Sequence, residues 1–394
     1  MPKTVNVALI GQGFMGRTHS NAYLKVAKFF TDLPAVPVMH TSFGMKNENC
    51  TAFTSRWGWQ HCSTDWEKTV RSEEIGLVDL VTPNYMHMEP ALAALEAGKP
   101  VATEKPLAGT LADARTMVEA AKRAKVPTFV WYNYRRVPAV ALAYQLVREG
   151  RIGRVYHVRC VYLQDWGGPD TPLAWRFQKK LAGSGAHGDL NAHIVDMARF
   201  VTGDDIVEVT GAIAETFIKE RPIAAAAATG GIVQKTKSRA KGRVDVDDAV
   251  LFLARFRKGA VASFEATRLA TGYKNRNGFE IHGEKGALRF NFEDMNYLDF
   301  YDNTEDPKTA SWRHIMVTSG GNHPYVAAWW PDAHILGYEH GFVNQAADIM
   351  HVLARRKPVV PVPDFADAYE TQRVLEAALL SARERTPVKI ADVK

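Results

Sequence analysis

An apolar run, Val5-Asn6-Val7-Ala8-Leu9-Ile10, leads directly into Gly11-Gln12-Gly13-Phe14-Met15-Gly16 and a helical stretch to about Lys28. A strand, a glycine turn and a helix in that order leave few folds open. Gly11 permits the tight turn, Gly13 lets the backbone approach a pyrophosphate, and Gly16 lets the helix lie close to the strand. The helix N-terminus, at Phe14 and Met15, then offers unpaired N–H groups and a partial positive charge to phosphates. The pattern predicts a dinucleotide site at the front of the chain.

The rest of the first third fits a doubly wound α/β domain. Residues 36–39 and 77–81 read as strands, 86–97 as a helix ended by Gly98, 100–103 as a strand, 111–124 as an amphipathic helix and 128–130 as a strand. Alternating β and α elements imply a parallel sheet covered on both faces. From about Trp131 the pattern changes. A helix over 137–149 precedes long alternating runs, and the turns at Lys258-Gly259 and Glu284-Lys285-Gly286 read as hairpins. The expected organisation is a Rossmann domain over 1–130, then an α+β domain over 131–394 with a large, mostly antiparallel open sheet. That second domain is expected to bind substrate and mediate oligomerisation, with its closing helices, 338–354 and 365–382, free to pack back on the first. Residues 229–245 are rich in Lys and Arg and read as an exposed arm.

Length and composition narrow the function classes. The chain has 394 residues, 46% hydrophobic and 23% charged, which suits a globular protein with a substantial core. A net charge of +6 without a dense basic stripe argues against nucleic acid as partner and suits an anionic small molecule. Cys50, Cys62 and Cys160 show no metal-ligand spacing and no disulfide framework, which points to the reduced cytoplasm. Strand one begins at once, without a signal-peptide pattern, and no apolar run is long enough to span a bilayer.

Three segments follow expected strand ends, where open α/β sheets bind ligands. They are Thr82-Pro83-Asn84 with His87, Glu104-Lys105-Pro106, and Asn133-Tyr134-Arg135. Lys105 is placed either to touch a substrate hydroxyl or to pair with Glu104 at the surface. A second constellation is Gly183-Ser184-Gly185-Ala186-His187-Gly188-Asp189-Leu190-Asn191-Ala192-His193. Here Asp189 and His193, spaced i,i+4, share one helix face. They form either an acid–imidazole couple suited to proton transfer or an ordinary helix start. No third ligand accompanies them, so no metal is expected. Gln164-Asp165-Trp166 and Trp175-Arg176-Phe177-Gln178 pair aromatic faces with polar groups, as sugars require. Val246-Asp247-Asp248 reads as a turn at strand entry.

These motifs, in this order and across nearly the whole chain, resemble the Gfo/Idh/MocA family of nicotinamide-dependent oxidoreductases. Asn133-Tyr134-Arg135-Arg136, Gln164-Asp165-Trp166, Trp175-Arg176-Phe177-Gln178 and Val244-Asp245-Val246-Asp247-Asp248 are similar in style to its bacterial sugar dehydrogenases. The resemblance implies Lys105, Asp189 and His193 as the catalytic set. It implies Gly11, Gly13, Phe14, Met15, Gly16, Ser42, Thr82, Pro83, Asn84, His87, Glu104, Lys105, Trp175 and Arg176 as cofactor contacts. It implies Lys105, Tyr134, Gln164, Trp166, Arg176, His187, Asp189 and His193 as substrate contacts. His187 stands where the family usually has a hydrophobic residue, which suggests a polar or cationic contact to the substrate. No Asp or Glu lies between Asp32 and Glu48, where an acid normally holds the ribose of NAD, so NAD is expected with NADP left open.

The expected activity is hydride transfer from a secondary ring hydroxyl, at C3, of a pyranoside to NAD(P). A redox-neutral NAD-dependent glycosidase acting on an anionic glycoside uses the same residues. A non-catalytic sugar or nucleotide sensor is a further class, disfavoured by the intact proton-handling set. The expected partners are a sugar or glycoside and, as homodimer or homotetramer, further copies of the chain.

Overall fold

The computed structural model describes residues 2–223, 238 and 240–394, which form two compact units. The first holds the residues up to Arg136 together with Gly337–Tyr369, and the second holds Val137 to Leu336 together with Glu370–Lys394.

In the first unit, β1 (Lys3–Ile10), β2 (Ala35–Phe43), β3 (His61–Ser63), β4 (Leu77–Leu80), β5 (Val101–Thr103) and β6 (Thr128–Val130) form a six-stranded sheet in the order β3-β2-β1-β4-β5-β6. Every pairing is parallel. This is the doubly wound Rossmann arrangement, and its order reverses between β1 and β4. Helices α1 (Phe14–Phe29), α2 (Asn47–Trp57), α3 (Trp66–Arg71), α4 (Met88–Glu96) and α5 (Leu111–Ala124) connect the strands. Helix α5 shows how the sequence codes an element. The Thr110 side chain caps it by accepting from Asp113 N–H, Leu111, Ala114, Met117 and Val118 bury one stripe, and Lys122 and Arg123 face the negative end of its dipole. Strand β2 runs to Phe43, past the expected end at Met39, because His40, Thr41 and Ser42 are buried polar residues. Their side chains are satisfied internally: His40 Nδ1 lies 2.9 Å from Thr41 Oγ1, and Ser42 Oγ lies 2.7 Å from Thr54 Oγ1.

In the second unit, a nine-stranded sheet is built from β7 (Val155–Leu163), β8 (Ile206–Glu215), β11 (Ala249–Phe256), β12 (Val261–Thr267), β13 (Arg276–Gly283), β14 (Gly286–Asn291), β15 (Tyr297–Asp302), β16 (Trp312–Met316) and β17 (Val388–Lys389). The short strands β9 (Glu220–Pro222) and β10 (Lys241–Arg243) pair separately. Among the described residues only the β12–β7 pairing in the large sheet is parallel, so the sheet is mixed and mostly antiparallel, with both expected hairpins present. Helices α6 (Pro138–Arg148), α7 (Lys179–Ala182) and α8 (Ala192–Thr202) follow the chain, and α6 and α8 pack on the sheet face that carries Val250, Phe252, Ala254 and Phe256. Every residue of α8 is buried. The opposite sheet face exposes Ile213, Leu251, Leu253 and Val261. Lys241 and Arg243, expected in the exposed arm, lie in β10, where backbone pairing with β9 orders them. The rest of that arm, residues 229–237 and 239, lies outside the described residues.

The chain then returns to the first unit through α9 (Tyr338–Leu353), and α10 (Phe365–Glu384) passes from the first unit to the second. Helix α9 is fixed by a buried ion pair, Arg136 Nε to Asp348 Oδ2 at 3.2 Å. Arg136 Nη2 also donates to the Pro361 carbonyl, Asp348 Oδ1 accepts from Val359 N–H, and Asn344 donates to the Arg136 carbonyl. Removing one partner strands a charge in the core. Asp348→Ala is therefore expected to lower stability by about 3–5 kcal/mol in urea titrations. An apolar replacement of both Arg136 and Asp348 is expected to cost less than Asp348→Ala alone.

Candidate active site

The nucleotide side is built in the first unit at the carboxyl ends of β1, β4 and β5. Gly11 has φ +123, and a Cβ there would meet the Val81 main chain at 3.1 Å. A Cβ on Gly16 would lie 2.6 Å from the Gly11 carbonyl oxygen. The turn therefore admits backbone alone, the cradle a pyrophosphate needs. Helix α1 starts at N-cap Gly13 without a side-chain cap and without an acidic residue in its first turn, so its amide dipoles suit an anion. The Thr82 hydroxyl, beyond β4, is buried and has no hydrogen-bond partner among the described residues. These features fit NAD, with Gly11, Gly13, Phe14, Met15, Gly16 and Thr82 nearest the cradle.

Three expected cofactor contacts serve it differently. His87 is fully buried, its Nε2 2.9 Å from the Thr82 carbonyl and its Nδ1 3.2 Å from the Leu107 carbonyl. Burial pushes its pKa below the ordinary value, and the ring braces the loop that carries Thr82, Pro83 and Asn84. Ser42 is buried against Thr54 and accepts from Gln12 Nε2, so it supports the turn from behind. Glu104 faces inward, with Oε1 2.9 Å from His19 Nε2 and Oε2 accepting Lys105 N–H at 3.1 Å.

His19 is the residue that pattern reading misses. It lies in α1, three positions after Gly16, and is completely buried. Its Nδ1 meets Asp79 Oδ2 at 2.8 Å, and its ring lies 4.0 Å from the Trp131 ring. Asp79, in the core strand β4, also accepts from Tyr23 Oη at 2.9 Å and Trp131 Nε1 at 2.9 Å. Burial opposes the charge on His19, but the charges and hydrogen bonds of Asp79 and Glu104 outweigh it and raise its pKa to about 9.

The second unit gathers the other candidates. Residues His187–Asn191 form a π-helical turn that runs into α8, so Asp189 sits in the wider turn and His193 in α-helix. The expected uninterrupted α-helix is thus opened at this point, as often happens at functional positions. Asp247 fixes the entry by accepting Gly185 N–H at 2.8 Å and His187 N–H at 2.7 Å. Gly185 is required there, because a Cβ would lie 1.8 Å from the Asp247 carbonyl oxygen. Asp189 Oδ2 pairs with the buried Arg268 Nη2 at 2.7 Å. The Arg268 guanidinium lies 5.0 Å from the Trp166 ring centre. Burial lowers the Arg176 pKa, Asp189 raises it, and Arg268 lowers it further. His193 is buried, with its ring centre 5.8 Å from that of Tyr162. Tyr162 Oη and Gln164 Nε2 both donate to Asn275 Oδ1, at 2.9 and 2.8 Å, and Trp166 Nε1 donates to Gln164 Oε1 at 2.7 Å.

Gln164, Trp166, Arg176, Asp189 and His193 thus belong to one neighbourhood, which also includes Arg268, Tyr162 and Asn275. Trp175 stacks beneath Arg176 at 4.5 Å. Tyr134 is buried in the first unit. His187 overturns its expected role. It is fully buried, its Nε2 lies 2.8 Å from the Leu375 carbonyl and its Nδ1 2.9 Å from Asn191 Nδ2. Burial lowers its pKa. The neutral ring therefore donates through Nε2 and accepts at Nδ1, and it offers no cationic contact to a substrate. Among the described residues no group of three or more His, Cys, Asp or Glu could hold a metal ion, and no helix is long and apolar enough to cross a membrane.

A Rossmann sheet with this glycine cradle, followed by a large mixed sheet with a buried acid–imidazole helix, defines a dinucleotide-binding oxidoreductase. Residues 5–132 match the model of an oxidoreductase family with an NAD-binding Rossmann fold, and residues 140–289 match the GFO/IDH/MocA C-terminal domain. The chain is 39% identical to levoglucosan dehydrogenase of Pseudarthrobacter phenanthrenivorans over 99% of both chains. An oxidoreductase domain protein from Kribbella flavida superposes with a TM-score of 0.91 at 48% identity, covering 99% of this chain and 100% of that one. A structure of levoglucosan dehydrogenase with NADH and levoglucosan gives a TM-score of 0.90 at 39% identity, covering 98% and 99%. The chain belongs to the GFO/IDH/MocA family, and its cofactor is NAD.

The His19 cluster has a pH signature. Its pKa rises from 6.5 to about 9 on folding, so its contribution to stability is complete below 6.5 and fades as pH rises through about 9. In thermal melts, the stability gap between the wild type and His19→Phe is expected to narrow over that interval.

Proposed function

We propose that this protein oxidises a secondary ring hydroxyl, at C3, of a pyranose sugar or glycoside with NAD. The observation that carries this reading is Asp189, tied to buried Arg268 and one turn ahead of His193 in a helix anchored by Asp247. The full-length likeness to levoglucosan dehydrogenase supports a sugar as substrate.

NAD, when bound, supplies the acceptor for the hydride leaving the carbinol carbon. His193 takes the hydroxyl proton as general base. Asp189 orients the imidazole and holds the sugar, and Arg268 pairs with the acid at 2.7 Å. Lys105 donates a hydrogen bond to the same oxygen and stabilises the negative charge that develops as its proton departs. Trp166 offers a ring face to the sugar, while Gln164 and Arg176 supply polar contacts. The second unit serves as the substrate and assembly domain, and the apolar sheet face at Ile213, Leu251, Leu253 and Val261 supports association into a homodimer or homotetramer.

NADH formation from NAD across a panel of pyranoses and pyranosides, levoglucosan included, tests the activity. His193→Ala and Lys105→Met are each expected to lower kcat by about 10²–10⁴-fold, and His193→Ala to leave NAD affinity by fluorescence titration unchanged. Both variants turning over like the wild type would contradict the assignment. Release of an aglycone without net NADH would replace the dehydrogenase with a redox-neutral glycosidase.

A further inference from the structure

Lys105 is expected to act at a defined point, yet it stands two residues beyond the end of a three-residue strand, β5. Its main-chain N–H donates to Glu104 Oε2 at 3.1 Å. A carboxylate bonded only to the next residue's amide would be free to rotate. Here the other oxygen is held by His19 Nε2 at 2.9 Å, and the far side of the same ring is held by Asp79 Oδ2 at 2.8 Å.

Asp79 is itself saturated with donors from Tyr23 and Trp131. The His19 ring is wedged between Trp131 at 4.0 Å and Phe342 at 5.7 Å. The titratable groups that face it are Asp79 and Glu104, which take its two ring nitrogens, with Tyr23 behind Asp79. If the cluster served only to fill the core, apolar side chains of the same volume would suffice, and buried ion pairs are often replaced that way without loss. A directional imidazole between two carboxylates does something packing cannot. Hydrogen bonds run through it from Asp79 in β4 to Glu104 and on to the Lys105 amide.

We propose that His19 is the positioning residue for Lys105: through Glu104 it fixes the main-chain amide from which the lysine side chain departs. The proposal rests on the reading of Lys105 as the group that binds the reacting oxygen. One consequence is that the helix carrying the glycine cradle and the strand end carrying Lys105 are set by the same buried chain of hydrogen bonds.

A double-variant cycle tests this with the full-length enzyme, NAD and whichever sugar gives turnover. His19→Phe is expected to lower kcat by about 10–100-fold, the scale of a misplacement of roughly an ångström, with NAD affinity and sugar KM changed far less. His19→Gln, which keeps a donor toward Glu104, is expected to recover part of that loss. The decisive comparison is His19→Phe/Lys105→Met, which should be no slower than Lys105→Met alone, because a residue acting through Lys105 has nothing left to position. Losses that multiply in the double variant, or a His19→Phe enzyme with wild-type kcat, overturn the proposal. Should His19→Phe fail to fold, His19→Gln takes its place in the same cycle. Wild-type kcat in Lys105→Met would instead remove the reading of Lys105 itself and the positioning role with it.

Discussion

A charged imidazole with no contact to water has to be matched on every polar edge, and His19 is matched by Asp79 and Glu104. That requirement ties three elements of the first unit together: α1 behind the glycine cradle, the core strand β4, and the end of β5. The same solution recurs in the second unit. Arg268 holds Asp189, Arg221 pairs with Asp248 at 3.2 Å, and Asp247 holds the amides that open the π-helical turn. Apolar packing determines which sheets form, as the buried strand β4 and the inward face of β11 illustrate. The buried charges tie down the turns and strand ends that carry the candidate side chains.

Much of this was legible along the chain. Local chemistry suffices for the strand–glycine turn–helix unit, the two hairpins and the cap of α5, because each depends on neighbours a few residues away. Strand β2 was harder, since His40, Thr41 and Ser42 look like the polar end of a strand and are buried only because they hydrogen-bond internally. The π-helical turn at Asp189 was not legible, because i,i+4 spacing reads the same whether the turn has regular or widened pitch. Arg268 escaped notice because it meets Asp189 from 79 positions away, and His19 because its partners Asp79 and Glu104 lie 60 and 85 positions away. His187 shows the converse: a polar residue beside the candidate site helix whose side chain turns to the Leu375 carbonyl instead.

The chemistry follows from this distribution of charge. In the proposed reaction an acid sits one turn from an imidazole, and a buried guanidinium pairs with that acid, Asp189, at 2.7 Å. The cofactor side depends less on side chains, since a turn lined by Gly11, Gly13 and Gly16 and an uncapped helix present main-chain amides. The cradle therefore calls on few specific side chains in the first unit, and Lys105 is the one to which the proposed reaction assigns a part.

The most direct test is the fate of the C3 hydrogen. With deuterium at C3 of levoglucosan or another pyranose that turns over, the NADH formed should carry the label, and turnover should slow relative to the unlabelled sugar. Unlabelled NADH from that substrate, or its consumption with no NADH at all, would contradict hydride transfer from C3 to NAD.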